Sequence, residues 1–454
     1  MKLIIYLLFA SVVLLSSCEE FLLEKSDKRL VTPTRLKDLQ GLIDHSTIMN
    51  GRVAAIGERS ADNYYLEDAT YDALSAGYMR NIYTWKGADI YSLDENDWLY
   101  TYQTLYRANL VLLRLDDIPR TTDNAKEWDH IRGQALAIRA FRYLSAAGIW
   151  AKAYDAATAE TDLGIPLRQT EDFNEPSVRV SVGETYRQII NSLTEAIPLL
   201  PIGTRGYTRI GRPAAYILLA RTHLFMREYE KAERYADSAL QLTRTLLDYN
   251  NVTEDKFPSA QNNPEILFWG GGRYDYNGEI FQVSMQRIDS TIYQTFEAHD
   301  LRKRLFFMEN TDGSHSFQGH YSGGNSSTFF GVANSEAYLI QAECRARAGK
   351  VVEAMQTLNE LLANRYDNTL PFQPLTATSQ AEALETILLE RRKELLFRGL
   401  RWPDIKRLNK EGANIVLTRV IDGQTYTLPP NDNRYALPIP EDIIELSGMP
   451  QNPQ

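Results

Sequence analysis

Arg212 to Leu240 reads RPAAYILLARTHLFMREYEKAERYADSAL. Pro213 suits a first helical turn, because the N–H it lacks is one the helix leaves unpaired anyway. Tyr216, Leu219, Ala220 and His223 then fall on one face at helical spacing. After a turn at Arg227-Glu228, Ala232, Ala236 and Ala239 make a stripe of small residues on a second helix. Such a stripe lets two helix axes approach closely. The pattern returns downstream as Tyr338, Gln341, Ala342 and Arg345, then Ala354, Leu358 and Leu361. Ala220 to Ala232 and Ala342 to Ala354 are both twelve residues apart.

This spacing resembles the tetratricopeptide repeat, in which a small residue on the first helix admits the second. Neither copy carries that repeat's signature Trp or an intact Leu-Gly pair, and the copies are not tandem. Two copies make too small a stack to stand alone, so other helices must pack on them. Those are predicted at Leu36–Ile48, Asp97–Leu115, Ala125–Trp150, about Glu382–Phe397, and from Trp402-Pro403-Asp404 onward. One more opens at the capping box Ser181-Val182-Gly183-Glu184 and runs to about Ile197. The fold expected is mostly α, a helical-hairpin scaffold of about four units within about 97–245 and 333–364. Short strands are expected near Glu265–Gly271 and Val416–Leu428. Two stretches, about 50–96 and 250–334, are rich in Tyr, Gly and Asp and lack helical periodicity. Their aromatics argue against disorder, and a long ordered loop is usually functional.

Composition narrows the function. Hydrophobic residues are 44% and charged residues 24%, as in a globular protein. A net charge of −10 and the lack of a basic cluster argue against nucleic acid, whose phosphates need a basic surface. Tyr is abundant, 26 against 16 Phe and 6 Trp, which suits surfaces presenting a ring and a hydroxyl together.

The N-terminus reads as an address. Met1-Lys2 precedes an apolar run, Leu3–Leu15, that spans roughly 20 Å as a helix, too short for a hydrocarbon core of about 30 Å. It fits a secretory signal, residues 1–17, better than a membrane span. The junction Leu15-Ser16-Ser17-Cys18 resembles a bacterial lipobox, in which the Cys18 thiol takes lipid; two or more acyl chains anchor stably. Glu19-Glu20 resembles a surface-export signal, and residues 18–30 read as a tether. With Cys18 lipidated, Cys344 has no disulfide partner and reads as a small core residue.

The segment Glu390-Arg391-Arg392-Lys393-Glu394-Leu395-Leu396-Phe397-Arg398-Gly399-Leu400-Arg401-Trp402-Pro403-Asp404-Ile405-Lys406-Arg407-Leu408 resembles the hallmark of the SusD/RagB family of Bacteroidetes nutrient-uptake lipoproteins. The endings Leu437-Pro438-Ile439-Pro440 and Gln451-Asn452-Pro453, with Arg139-Ala140-Phe141-Arg142-Tyr143 and Arg212–Ala239, resemble it as well. The resemblance implies one helical domain over 31–454, with four tetratricopeptide-like units as scaffold and loops carrying the ligand site. It further implies a surface lipoprotein of the outer membrane that captures a glycan for a SusC-like TonB-dependent transporter. Peptide or another nutrient is the alternative cargo.

Chemistry that would make the chain an enzyme is sparse. Glu390 and Glu394 sit one helical turn apart, but with arginines beside them they read as a structural ion network rather than an acid/base pair. His315 and His320 share a loop without the Cys or His spacing of a zinc site. Gly270-Gly271-Gly272 lacks the Lys-Ser/Thr of a phosphate loop, and no Gly-x-Ser-x-Gly elbow occurs. No catalytic residue, metal or cofactor is therefore assigned, and a surface hydrolase or a tetratricopeptide adaptor stands behind a binding protein. Binding sites need a few aimed polar groups beside apolar surface, and loops on a scaffold are where they concentrate. Tyr64, Tyr65, Trp85, Trp269, Tyr274 and Tyr321 are the stacking candidates; Asn63, Asp68 and Arg273 are the polar ones.

Overall fold

The computed structural model describes residues 33–454 apart from 171, 173, 204–205, 253–255, 274–281, 283, 322 and 324–326. The signal, the whole tether with Cys18, and Tyr274 lie outside the described residues.

Ten described helices have eight residues or more: α1 (Leu36–Ile43), α2 (Asp97–Asp116), α3 (Ala125–Trp150), α4 (Val182–Leu199), α5 (Arg212–Phe225), α6 (Tyr229–Leu242), α7 (Asn334–Arg347), α8 (Val351–Leu362), α9 (Gln380–Glu394) and α10 (Arg401–Asn409). Strands are short and pair only in twos. The architecture is the expected one, mostly α with a tetratricopeptide-like scaffold.

Helix α3 explains its own composition. From Ile131 to Trp150 nearly every residue is buried, with Ala135, Ala137, Ala140, Ala146 and Ala147 at most 1% exposed. A helix packed on all sides needs thin side chains, and α2 and α4 flank it. Arg142, fully buried, donates to the carbonyls of Met49 (3.1 Å) and Gly51 (2.8 Å), where the short Ser46–Met49 helix ends. Ser181 Oγ accepts the Glu184 N–H at 3.0 Å, the expected cap of α4.

Neighbours in the chain pack in order: α4 on α5, α5 on α6, α7 on α8, and α8 on α9. Helix α6 also packs on α7 although 91 residues separate them, so the two repeat copies are adjacent in space. Ala220, Leu224, Ala232, Ala236, Ile340 and Cys344 form a separate small core between the copies. Cys344 is thus a core residue at 1% exposure. The intervening stretch leaves and returns at one place: Asn334 Nδ2 donates to Thr245 O (2.9 Å), and Asn334 N–H to Glu265 O (3.1 Å).

Several boundaries differ from expectation. The first helix breaks at Asp44-His45 into α1 and the Ser46–Met49 turn. The 50–96 stretch holds three short helices, and the 161–181 loop holds the antiparallel pair Leu163–Pro166 with Arg179–Ser181. Helix α9 ends at Glu394 rather than Phe397, because Phe397 and Gly399 adopt positive φ (55° and 73°) and turn the chain toward α10. The expected strands appear at Ile266–Phe268 and as the hairpin Leu417–Ile421 with Gln424–Leu428.

The hallmark segment is a buried charge network. Glu390 accepts from Arg302 (2.6 Å) and Lys393 (2.7 Å); Glu394 accepts from Arg365 (2.8 Å). Asp404 joins Arg391 (2.8 Å) to Arg407 (2.7 Å), and Arg407 reaches Glu343 on α7 by two bonds (2.6 and 2.8 Å). Burial opposes ionisation of Asp404, but the two guanidiniums overcome it and hold the carboxyl at about 2. The C-terminus closes the other end: Asn452 Nδ2 donates to Trp150 O (2.8 Å) and Leu437 O (2.7 Å), while Arg179 donates to Asn452 Oδ1 (2.8 Å).

A loop-built candidate ligand face

The two loop-rich stretches meet. Tyr64–Tyr65 pairs antiparallel with Arg287–Ile288, and the latter packs on the hairpin Phe307–Glu309 with His315–Phe317. Alternation along the first strand sends Tyr64 inward (3% exposed) and Tyr65 outward (40% exposed). Around Tyr65 lie Arg287, Glu67 and Asp312. Arg287 bridges to Glu67 at 3.3 Å and to Asp312 at 3.9 Å. His315 on the adjoining hairpin stacks at 3.7 Å on Tyr293 of the short helix Ser290–Gln294, both rings half-buried, and Lys303 sits 4.9 Å over Tyr293.

The hallmark helix fixes this region from beneath. Arg392 donates to Asp62 O (3.0 Å) and Asn63 Oδ1 (3.3 Å) and pairs with Asp289 (3.5 Å), so one side chain holds both stretches. Arg401 clamps Asp62 with two bonds, 2.7 and 2.8 Å. Burial pushes Asp62 up, but Arg401 and Arg392 outweigh it and keep the carboxyl well below the usual range.

The candidate residues singled out in the sequence, Tyr274 apart, have definite places. Asn63 is buried; it donates to Glu58 Oε1 (2.9 Å). Tyr64 and Trp85 are both 3% exposed and surround Arg419, whose guanidinium lies 4.8 Å from the Tyr64 ring and 5.2 Å from Trp85. Trp85 Nε1 donates to Ser60 O at 2.9 Å. Tyr321, 2% exposed, packs under the Arg398 guanidinium at 4.0 Å. Trp269 is half-buried, edge-on to Tyr207 at 6.2 Å. Asp68 is exposed and accepts the Asp422 N–H at 3.1 Å. Arg273 lies in the strand Gly271–Arg273, paired with Ser327–Phe329.

Of those whose burial is described, Tyr65 and Asp68 present exposed side chains, and Tyr65 is the exposed ring among them. Asn63, Tyr64, Trp85 and Tyr321 are core residues that brace the loops. Sequence reasoning did not single out Arg287, Asp312 and Tyr293, read Glu67 only as part of the stretch Asp62–Asp68, and weighed His315 only as a metal ligand. The usable signal was the strand alternation at Tyr64-Tyr65, which leaves one of the two rings outside. Among the described residues no group of three or more His, Cys, Asp or Glu could hold a metal ion. The Glu390 and Glu394 carboxylates are engaged by arginines and lysine on buried surfaces, which leaves neither facing a cleft.

Comparison with known proteins agrees with this architecture. Residues 20–224 match a family described as starch-binding associating with outer membrane, and residues 316–454 match the SusD family. A SusD-like protein of Formosa agariphila is 22% identical over 426 residues, covering 78% of this chain and 79% of that one. A crystal structure of a sugar-binding protein, so named, from Bacteroides vulgatus superposes with a TM-score of 0.76 at 22% identity, covering 93% of this chain and 99% of that one. A SusD superfamily protein from Bacteroides thetaiotaomicron gives 0.74 at 20% identity, covering 92% and 100%. Among the described residues no helix is long and apolar enough to cross a membrane. With the hallmark network, the repeat pair and the C-terminal closure all in place across the two matched regions, the chain belongs to the SusD/RagB family, a family of surface-associated outer-membrane lipoproteins.

Proposed function

We propose that the protein binds a glycan on the cell surface and hands it to a SusC-like TonB-dependent transporter, acting as its lid and catalysing nothing itself. The observation that carries this reading is the Tyr65 ledge, an exposed ring with Arg287, Glu67 and Asp312 around it on paired strands. A ring face packs on the C–H groups of a pyranose while the charged groups take its hydroxyls. The family description as starch-binding and the sugar-binding name of the Bacteroides vulgatus neighbour support a saccharide ligand. Trp269, Asp68, Arg273 and Tyr274 are proposed as further ligand contacts because they fall in the same two stretches of sequence. Asn63, Tyr64, Trp85 and Tyr321 support it from the core. Residues 18–30 are the proposed tether.

Binding to a panel of neutral glycans and peptides tests this. Tyr65→Ala and Tyr293→Ala should each weaken the best ligand about tenfold, the value of one stacked ring at about 1 to 1.5 kcal/mol, with the melting temperature unchanged. Trp85→Ala should instead lower the melting temperature. Unaltered affinity in both tyrosine variants would remove the ledge from the site, and a preference for peptides over every glycan would replace the ligand class. Anchoring is tested separately. Cys18→Ala should move the protein from the membrane fraction to the soluble one, and a variant that stays on the membrane contradicts attachment there.

A further inference from the structure

Lys406, on α10, is 5% exposed. The other buried lysine of the hallmark segment, Lys393, has two carboxylates, Glu390 at 2.7 Å and Asp300 at 3.2 Å. Lys406 has no carboxylate within bridging distance among the described residues. Two of its three N–H donors go to Gly148 O (2.8 Å) in the last turn of α3 and Ala151 O (2.6 Å) just past its end. The whole helix C-terminus carries only about half a negative charge, spread over its unpaired carbonyls. The ammonium is thus only partly neutralised, one donor is left over, and burial pulls Lys406 down to about 7.

Lys406 lines a cavity of about 90 Å³, together with Lys152, Lys410, Asn431, Asn433 and Tyr435. The Tyr435 hydroxyl is closed off from that space, beside the Asn409 amide. At the rim the charges cancel in pairs: Lys152 with Asp162 (3.1 Å), Lys410 with Asp155 (3.4 Å) and Arg434 with Asp432 (2.9 Å). What remains unbalanced is the Lys406 cation with its spare donor; it needs an acceptor, and one negative charge completes the balance. A cavity of about 90 Å³ is several times the ~10–15 Å³ that one water needs by the same measure, enough for a small oxyanion.

We propose that this cavity, remote in sequence from the loop face, is a second binding site that takes a small oxyanion: a carboxylate, sulfate or phosphate group. Lys406 would donate to it, while Lys152 and Lys410 offset the carboxylates of Asp162 and Asp155 that would otherwise repel it.

Equilibrium dialysis of the full chain in detergent against radiolabelled sulfate tests this directly. The expected result is saturable binding of one sulfate per chain at pH 6 and at least fivefold weaker binding at pH 8, where Lys406 has lost its proton. Lys406→Met should abolish binding. Because that variant also removes a helix cap and could fail to fold, the rim pair Lys152→Gln with Lys410→Gln is the second measurement, expected to weaken sulfate severalfold in a folded protein. Competition identifies the source of the anion. Displacement by glucuronate but not glucose assigns a carboxylate on a saccharide, whereas displacement by inorganic phosphate alone assigns a free oxyanion. Absence of saturable sulfate binding in the wild type, or equal binding in the wild type and both variants, overturns the site.

Discussion

Arg365→Met is expected to lower the unfolding free energy by about 3 to 5 kcal/mol, the usual result of breaking a buried ion pair by removing one partner. Arg365 is fully buried between α8 and the insertion. Its Nη2 donates to Glu265 Oε1 and to Glu394 Oε1, each at 2.8 Å; its Nη1 donates to Leu247 O at 2.8 Å. The guanidinium plane also lies 4.1 Å over the Tyr249 ring. Glu265 and Glu394 are both fully buried, so the methionine variant strands two carboxylates without their shared cation. Burial already pushes Glu265 up to about 7 even with Arg365 present. In the variant it would take up a proton instead, which limits the loss but does not restore the three hydrogen bonds. Arg365→Lys keeps the charge and loses the planar fork, so it should fall between the two. At roughly 2 °C per kcal/mol for a chain of this size, the melting temperature should drop by about 5 to 10 °C. A methionine variant melting within a degree or two of wild type would show that the network contributes no stability and leave it a role in specifying the fold alone.

The scaffold was legible because its signals are local. The helix expected from Ala125 to about Trp150 is found there, and the repeat copies are read from alanine spacing, since each depends on neighbours three or four positions away. The proposed face was only half legible. Composition singled out two stretches, and they do pair, at Tyr64–Tyr65 with Arg287–Ile288. It could not say which rings face water. Trp85 and Tyr64 look like surface aromatics in a polar loop until Arg419, more than 330 residues away, is placed against them. The same holds for Tyr321 and Arg398. In a chain this rich in Tyr, buried rings are spent on stacking against arginines that the sequence shows only as charges. A partner at that separation leaves no trace in a window of ten residues, whereas strand alternation does, and it would have favoured Tyr65 over Tyr64.

Glu58→Gln is expected to flatten the dependence of stability on pH. Glu58 is 2% exposed and joins the hallmark turn to the loop that carries the ledge: its Oε2 accepts the Gly399 N–H and its Oε1 the Asn63 amide, both at 2.9 Å. Burial raises its carboxyl to about 7 against these two hydrogen bonds, with the Asp62 charge adding to the rise. The folded chain therefore keeps a proton that the unfolded chain releases from about pH 4.3 upward. Stability from this group is full below that unfolded value and is lost as pH rises through about 7, the opposite of the Asp404 case. A rise of this size is worth up to about 3 kcal/mol between pH 5 and pH 8 at 1.36 kcal/mol per unit. Glu265 titrates in the same direction, so the wild-type curve alone does not separate them. The difference between wild type and Glu58→Gln does. Glutamine has nothing to titrate and keeps one acceptor, so the variant should gain on wild type steadily from pH 5 to pH 8, whatever its offset at pH 5. Parallel curves would mean that Glu58 ionises at its ordinary pH and that water reaches the joint between the hallmark turn and the ledge. A converging pair would place a titrating, water-poor hinge directly beneath Tyr65, where neutral pH loosens the ledge and mild acid tightens it.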